Sequence, residues 1–148
     1  MSEVSVKLAP SQQVADHRLR RHADYQRVYR ESRKQFSASM SYFYALRGVD
    51  SLTQAGPRVG LTAGKVLGKA VERNRIKRRL REIVRRQSTI VNADVDIVLH
   101  PRRSVLTIEF ARLESEVVRI FTGIQSAIDK SRAQREIAPL SKESQVSS

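Results

Sequence analysis

Apolar residues recur along this chain with two different periods. Phe36, Ala38, Met40, Tyr42, Tyr44 and Leu46 alternate at period two, which predicts strand, in one piece or as two strands broken by a bulge or turn. The stretch RVGLTAG (58–64) alternates again and reads as a strand ending at Gly64, and DVDIVLH (94–100) reads as another, stopped by Pro101. Elsewhere the period is near 3.6. Ile76, Leu80, Ile83 and Val84 fall at i, i+4, i+7 and i+8, the apolar stripe of an amphipathic helix. Leu113, Val117, Ile120, Phe121, Ile124 and Ile128 mark a second, longer one, with Thr107 as its candidate cap. HADYQRVYRES (22–32) predicts a short first helix with Tyr25, Val28 and Tyr29 on one side, and RGVDSLTQAGP (47–57) has the Gly, Asp, Ser and Pro content of a loop.

The resulting order of helix, strands, helix, strand and helix is an α+β layer structure. A length of 148 residues suits a single domain. We expect it over 17–132, after a flexible N-terminal extension (1–16) and before a polar, disordered tail (133–148). No run of about 18 apolar residues occurs, and MSEVSVKLAPSQQ has no apolar signal-peptide core. There is no cysteine, hence neither a disulfide framework nor a thiolate zinc site. A cytoplasmic setting is the default expectation.

Charge changes the picture most. The chain carries 28 Lys and Arg against 15 Asp and Glu, a formal +13. Residues 69–86 alone hold nine basic side chains (Lys69, Arg73, Arg75, Lys77, Arg78, Arg79, Arg81, Arg85, Arg86) against Glu72 and Glu82, a net +7 of that +13. At 100° per residue, Asn74, Arg78, Arg81 and Arg85 lie opposite the apolar stripe, Arg75 and Arg79 along one flank and Lys77 along the other. A solvated helix face usually mixes charge signs at i, i+4; this one mostly repeats a single sign, which opposes folding unless a polyanion supplies the counter-charge. Tyr25 and Tyr29 on the first helix, and Tyr42 and Tyr44 on a strand, could stack on unpaired bases, or could be ordinary core residues with their hydroxyls at the rim.

No catalytic constellation emerges. GLTAGKVLGKA invites a phosphate-loop reading, but the glycine spacing is one residue short and Ala70 stands where a Mg²⁺-binding Ser or Thr is needed. His17 and His22 are five apart, on different faces of any helix. Asp94 and Asp96 share one face of a strand and could hold a cation, but two carboxylates with no third ligand read better as a solvated strand end.

The segment RVGLTAGKVLGKAVERNRIKRRLREIVR, with Arg73-Asn74-Arg75 followed by Ile76-Lys77-Arg78, resembles the signature of the protein subunit of bacterial ribonuclease P. The likeness extends more weakly from about Arg18 to Ile128, through RLRRHADYQRVYR, YFYAL and DVDIVLHPR. It implies an αβββαβα order in which a left-handed βαβ crossover carries the basic helix, unusual because such crossovers are nearly always right-handed. It implies as partners the catalytic RNA of ribonuclease P and precursor tRNA, from which the holoenzyme removes the 5′ leader. By the same resemblance the RNA and its Mg²⁺ ions are expected to perform the hydrolysis, with no cofactor bound by the protein and no activity of the chain alone. Neither a membrane nor DNA is expected as a partner. The implied RNA-binding residues are Lys65, Lys69, Arg73, Asn74, Arg75, Lys77, Arg78, Arg81 and Arg85. Tyr25, Tyr29 and Tyr44 match the family's leader-binding cleft, and Tyr42 joins them as a neighbour on the face of Tyr44. The sequence departs from the family at Lys65-Val66, where two lysines are usual, and the segments before Arg18 and after Pro139 have no counterpart. Other readings fit parts of the composition. A ribosomal or other structured-RNA-binding protein would share the charge. A DNA-binding regulator would need a helix-turn-helix pairing that the flanking strands exclude. A membrane-surface helix would use as an anchor the stripe that a folded domain needs for its core.

Overall fold

The computed structural model describes residues 18–48 and 55–147, with side chains up to 134; the expected N-terminal extension and the centre of the 47–57 loop lie outside these residues. The elements follow in the order α1 (His22–Glu31), β1 (Gln35–Phe36), β2 (Met40–Leu46), β3 (Arg58–Leu61), α2 (Ala70–Gln87), β4 (Val95–Pro101) and α3 (Phe110–Ser147), with short 3₁₀ turns at Lys65–Leu67, Ser88–Ile90 and Arg103–Leu106. This is a mixed α+β domain of αβββαβα order. The strands form one sheet in the order β1-β2-β4-β3. β4 runs antiparallel to β2 and parallel to β3, so α2 is the crossover between parallel neighbours.

Register assigns the side chains to faces, because residues directly opposed on neighbouring strands point to the same side. Met40, Tyr42, Tyr44 and Leu46 of β2 stand opposite Pro101, Leu99, Ile97 and Val95. With Val59, these residues meet the helix stripes expected from the sequence: Ile76, Leu80, Ile83 and Val84 of α2, and Leu113, Val117, Ile120, Phe121, Ile124 and Ile128 of α3. All ten helix positions are buried. Glu116 pins the β1–β2 hairpin to α3 by accepting from the Ser37 hydroxyl (2.6 Å) and the Ser39 amide (2.7 Å). The opposite face holds a smaller apolar cluster, Leu19, Val28, Ala45 and Val98, under α1.

Several local expectations change. Of the two readings of the alternation from Phe36 to Leu46, the structure takes the broken one: two strands joined by a tight hairpin, closed by the Ser37 amide on the Met40 carbonyl (2.8 Å). β3 ends at Leu61 rather than Gly64, and Pro101 does not stop β4 but completes it opposite Met40. Proline is tolerated there because β3 pairs no further than Leu99, which leaves that side of β4 without a ladder bond to lose. Thr107 ends the 3₁₀ turn instead of capping α3, which begins at Phe110. The α3 backbone continues to Ser147, through the segment the sequence suggests is unstructured; SRAQRE (131–136) is rich in good helix formers.

The start of α2 is fixed by a side-chain clamp. Glu72 accepts from the Lys69 amide (3.0 Å) and from both Arg103 guanidinium nitrogens (3.1 and 2.9 Å), and Arg103 also donates to the Leu67 carbonyl (2.7 Å). The Arg103 hydrogen bond and the Lys69 amide hold the Glu72 carboxyl down to about 2, so it stays ionised at the positive end of the helix dipole. Gly68, at φ 124°, permits the clamp: a Cβ there would overlap both Glu72 and Arg103.

Candidate nucleic-acid interface

The basic helix sorts its cations by what they touch. Arg79 is structural: its guanidinium donates to the carbonyls of Val105 (2.6 Å), Leu106 (2.9 Å) and Ile108, oxygens left without partners where the chain turns into α3. Arg79 and Arg86 also lie 5.8 and 5.7 Å from the Phe110 ring centroid. Arg73 turns back to the Gly68 carbonyl (3.2 Å), and Arg85 pairs with Glu82 (2.7 Å) at the exposed far end. Lys65 and Lys69 are exposed at the turn leading into the helix. Asn74, Arg75, Lys77, Arg78 and Arg81 come together with Arg18 and Val71 around one shallow concavity of about 540 Å³. Of the nine residues expected to bind RNA, those five converge; Lys65, Lys69, Arg73 and Arg85 flank them. Arg18 was not among the expected residues, because it lies outside α2 and reaches the site only through its bridge to Val59.

Arg81 joins this surface to α1. Its burial, and then the nearby charge of Arg18, disfavour its cationic form, while Tyr25 favours it. Tyr25 lies over β3: its hydroxyl donates to the Leu19 carbonyl (3.1 Å), and its ring occupies the space a side chain at Gly60 would need. Burial pushes the hydroxyls of Tyr25 and Tyr29 above the usual tyrosine value, so both stay protonated. One turn along α1, the Tyr29 ring meets Phe43 edge-on at 5.0 Å and His100 at 5.5 Å, and its hydroxyl is 2.9 Å from the His100 Nε2. Burial, and then Lys34, lower the His100 pKa, so the imidazole is neutral at neutral pH.

The four expected cleft tyrosines therefore do not converge. Tyr25 and Tyr29 lie on the α1 face, whereas Tyr42 and Tyr44 pack against the main core on the other side of the sheet. The aromatic that β2 gives to the α1 face is Phe43. The sequence signal was present, since Phe43 is out of phase with the tyrosines on either side, but period two alone does not say which phase α1 covers.

Asp94 and Asp96 do not form a paired site. Asp94 is exposed and accepts from the Gly56 amide (2.7 Å). Asp96 is wholly buried and held by three arginines: Arg27 of α1 (2.6 Å), Arg47 just past β2 (2.7 Å), and Arg58 of β3 through two bonds of 2.8 Å. Burial alone would raise its pKa; hydrogen bonds from Arg58, Arg47 and Arg27 outweigh it and leave the carboxyl below its ordinary value. Both the cation-site and the solvated-strand-end readings of Asp96 give way to an internal ion cluster that docks α1 on the sheet. Among the described residues no group of three His, Asp or Glu side chains could hold a metal ion, and no helix is long and apolar enough to cross a membrane.

Comparison with known proteins identifies the architecture. The family model described as Ribonuclease P matches residues 14–125. The chain belongs to that family. It is 33% identical over 103 residues to the ribonuclease P protein component of Finegoldia magna, covering 70% of this chain and 86% of that protein. It is 30% identical over 109 residues to that of Dictyoglomus thermophilum, covering 72% and 86%. The fold is similar to the solved RNase P protein of Staphylococcus aureus (TM-score 0.61, 22% identity, 74% of this chain and 95% of that one) and to that of Thermotoga maritima (TM-score 0.61, 24% identity, 71% and 94%). The family match thus takes in α1, the whole sheet, α2 and the first part of α3.

Proposed function

We propose that this chain is the protein subunit of a ribonuclease P, which assists a catalytic RNA in removing the 5′ leader of precursor tRNA. The exposed face of α2 binds the RNA subunit, and the α1 face holds the single-stranded leader, raising substrate affinity and broadening substrate range. Hydrolysis belongs to the RNA and its Mg²⁺ ions. The observation that carries this reading is the contrast within α2. Arg79 is engaged by backbone carbonyls, while Asn74, Arg75, Lys77 and Arg78 form no hydrogen bond or ion pair among the described residues and sit together. A helix of 18 residues is about 27 Å long, enough to meet several phosphates. Through Arg18, Arg81 and Tyr25 that surface continues onto the α1 aromatics, which offer π-faces to unpaired bases.

The test is reconstitution. The purified chain alone should leave precursor tRNA intact, and adding the ribonuclease P RNA of the same source at modest Mg²⁺ should yield mature 5′ ends. Cleavage by the nuclease-free chain without RNA, or preferential binding to ribosomes over that RNA, would overturn it.

A further inference from the structure

The α1 face of the sheet extends past α1. Register places Phe36 of β1 opposite Ser41 of β2, and Ser41 opposite His100 of β4. These three form a row on the side that also carries Phe43. The small side chain between them leaves Phe36 uncovered; at 68% exposure it is among the few large apolar residues left open to solvent. It borders the open edge of the sheet; a shallow groove that begins there runs onto the other face, past Tyr42, Glu116 and Arg119 of the α3 side. The Lys34 ammonium is 5.7 Å from the Phe36 ring centroid, and its charge also acts on His100. An exposed ring with a cation beside it, two strands from His100 on the face of the Tyr29–Phe43–His100 cluster, has the chemistry of a single-strand stacking position: a π-face for a base and a positive charge for the neighbouring phosphate. Arg30 and Arg33 are exposed nearby in sequence and add to the positive field.

We infer that Phe36, with Lys34 and His100, forms an outer station for leader nucleotides beyond those held at Tyr25 and Tyr29. The inference rests on the leader-binding reading above. The occupant is single-stranded RNA, not a second copy of the chain, because the basic residues around the ring would repel their counterparts across a symmetric pair. The strand would run from the α2 end of the face, past Tyr25 and Tyr29, to the β1 edge, so affinity should climb in two stages as the leader lengthens.

The experiment measures binding of precursor tRNAs, with leaders extended one nucleotide at a time, to the reconstituted holoenzyme. Wild type should gain affinity first over the shortest leaders and again over longer ones. Phe36→Ala should abolish only the later gain, about 5- to 10-fold, the lower end expected for one base–aromatic stack. Phe36→Tyr should restore it, and Phe36→Leu, apolar but without a π-face, should not. Because the ring is exposed, these variants should keep the wild-type melting temperature. An early gain with no later one, or equal curves for Phe36→Ala and wild type, overturns the outer station and leaves the inner cleft standing. No gain at any length overturns both. A Phe36-dependent dimer in sedimentation, with unchanged leader curves, would make the edge a self-association surface instead.

Discussion

One side of the sheet is covered by α2 and α3 and closed by a continuous apolar core, with Phe121, Met40, Ile76 and Leu80 among its fully buried side chains. The other side carries four buried apolar residues, a ring of half-buried aromatics and one buried carboxylate held by three arginines. The first side is satisfied within the molecule. The second is docked by an ion cluster at one point and left open beyond it. A sheet whose core is built on one face by two helices can leave its other face partly uncovered. The arginines follow the same division: where a guanidinium meets carbonyls or Asp96 it holds the fold, and where it meets only solvent it is available to phosphate.

The largest test of this contrast is on the closed side. Phe121→Ala should destabilise the protein by about 3–5 kcal/mol, a large fraction of a typical domain's stability, as read by denaturant unfolding. Asp96→Ala should have a similar effect, about 3–5 kcal/mol, because it leaves three guanidinium groups facing a site with no counter-charge. If it were nearly silent, α1 would be docked by its apolar cluster alone.

Acid should separate the sides further. A carboxyl whose folded pKa is depressed stabilises the fold above its ordinary pKa, and that contribution is lost as pH falls through the folded value. For Asp96 the loss begins below its ordinary 3.8, and for Glu72 it spreads from 4.5 down to about 2. Melting temperature should decline slightly from neutrality, because the His100 pKa lies below its ordinary 6.5 in the folded protein and the unfolded chain takes the proton first, and fall more steeply below about pH 5 as the carboxyls protonate. In Asp96→Asn the fall should be shallower, and an unchanged acid profile would remove Asp96 as its source.

A pair of tyrosine variants sharpens the comparison at smaller scale. Tyr44→Ala should lower the melting temperature and weaken precursor and mature tRNA binding together. Tyr29→Ala should weaken precursor binding by about 1–3 kcal/mol beyond any change in mature tRNA binding, whatever melting temperature it loses with the Phe43 and His100 contacts. The opposite assignment would mean that the leader lies on the face of Tyr42 and Tyr44. The smallest effect is expected within α2. Arg78→Ala should leave stability unchanged and flatten the log–log salt dependence of RNA binding by up to about one unit. Arg79→Ala should instead loosen the turn into α3, seen as a lower melting temperature.

Much of this was legible in the chain itself. The period-3.6 stripes of α2 and α3 mark side chains that are all buried, and the clustered positive charge marks the exposed face of α2, because helical periodicity and charge repetition are local properties. The Arg73-Asn74-Arg75 segment was sufficient to suggest the family. Tertiary structure decided the rest. Period two separates Tyr42 and Tyr44 from Phe43 but is blind to which phase α1 will cover, so only the docked helix assigns Phe43 to the aromatic face and the two tyrosines to the core. Asp96 looks like any strand-end acid until Arg27, Arg47 and Arg58 arrive from 69, 49 and 38 positions away. Arg79 looks like its neighbours on the basic helix until the chain returns to place three carbonyls against it. Local pattern sets which way a side chain points along its own element; what it meets there depends on segments distant in sequence, and the choice between a buried ion cluster and a ligand-facing charge is made only by that meeting.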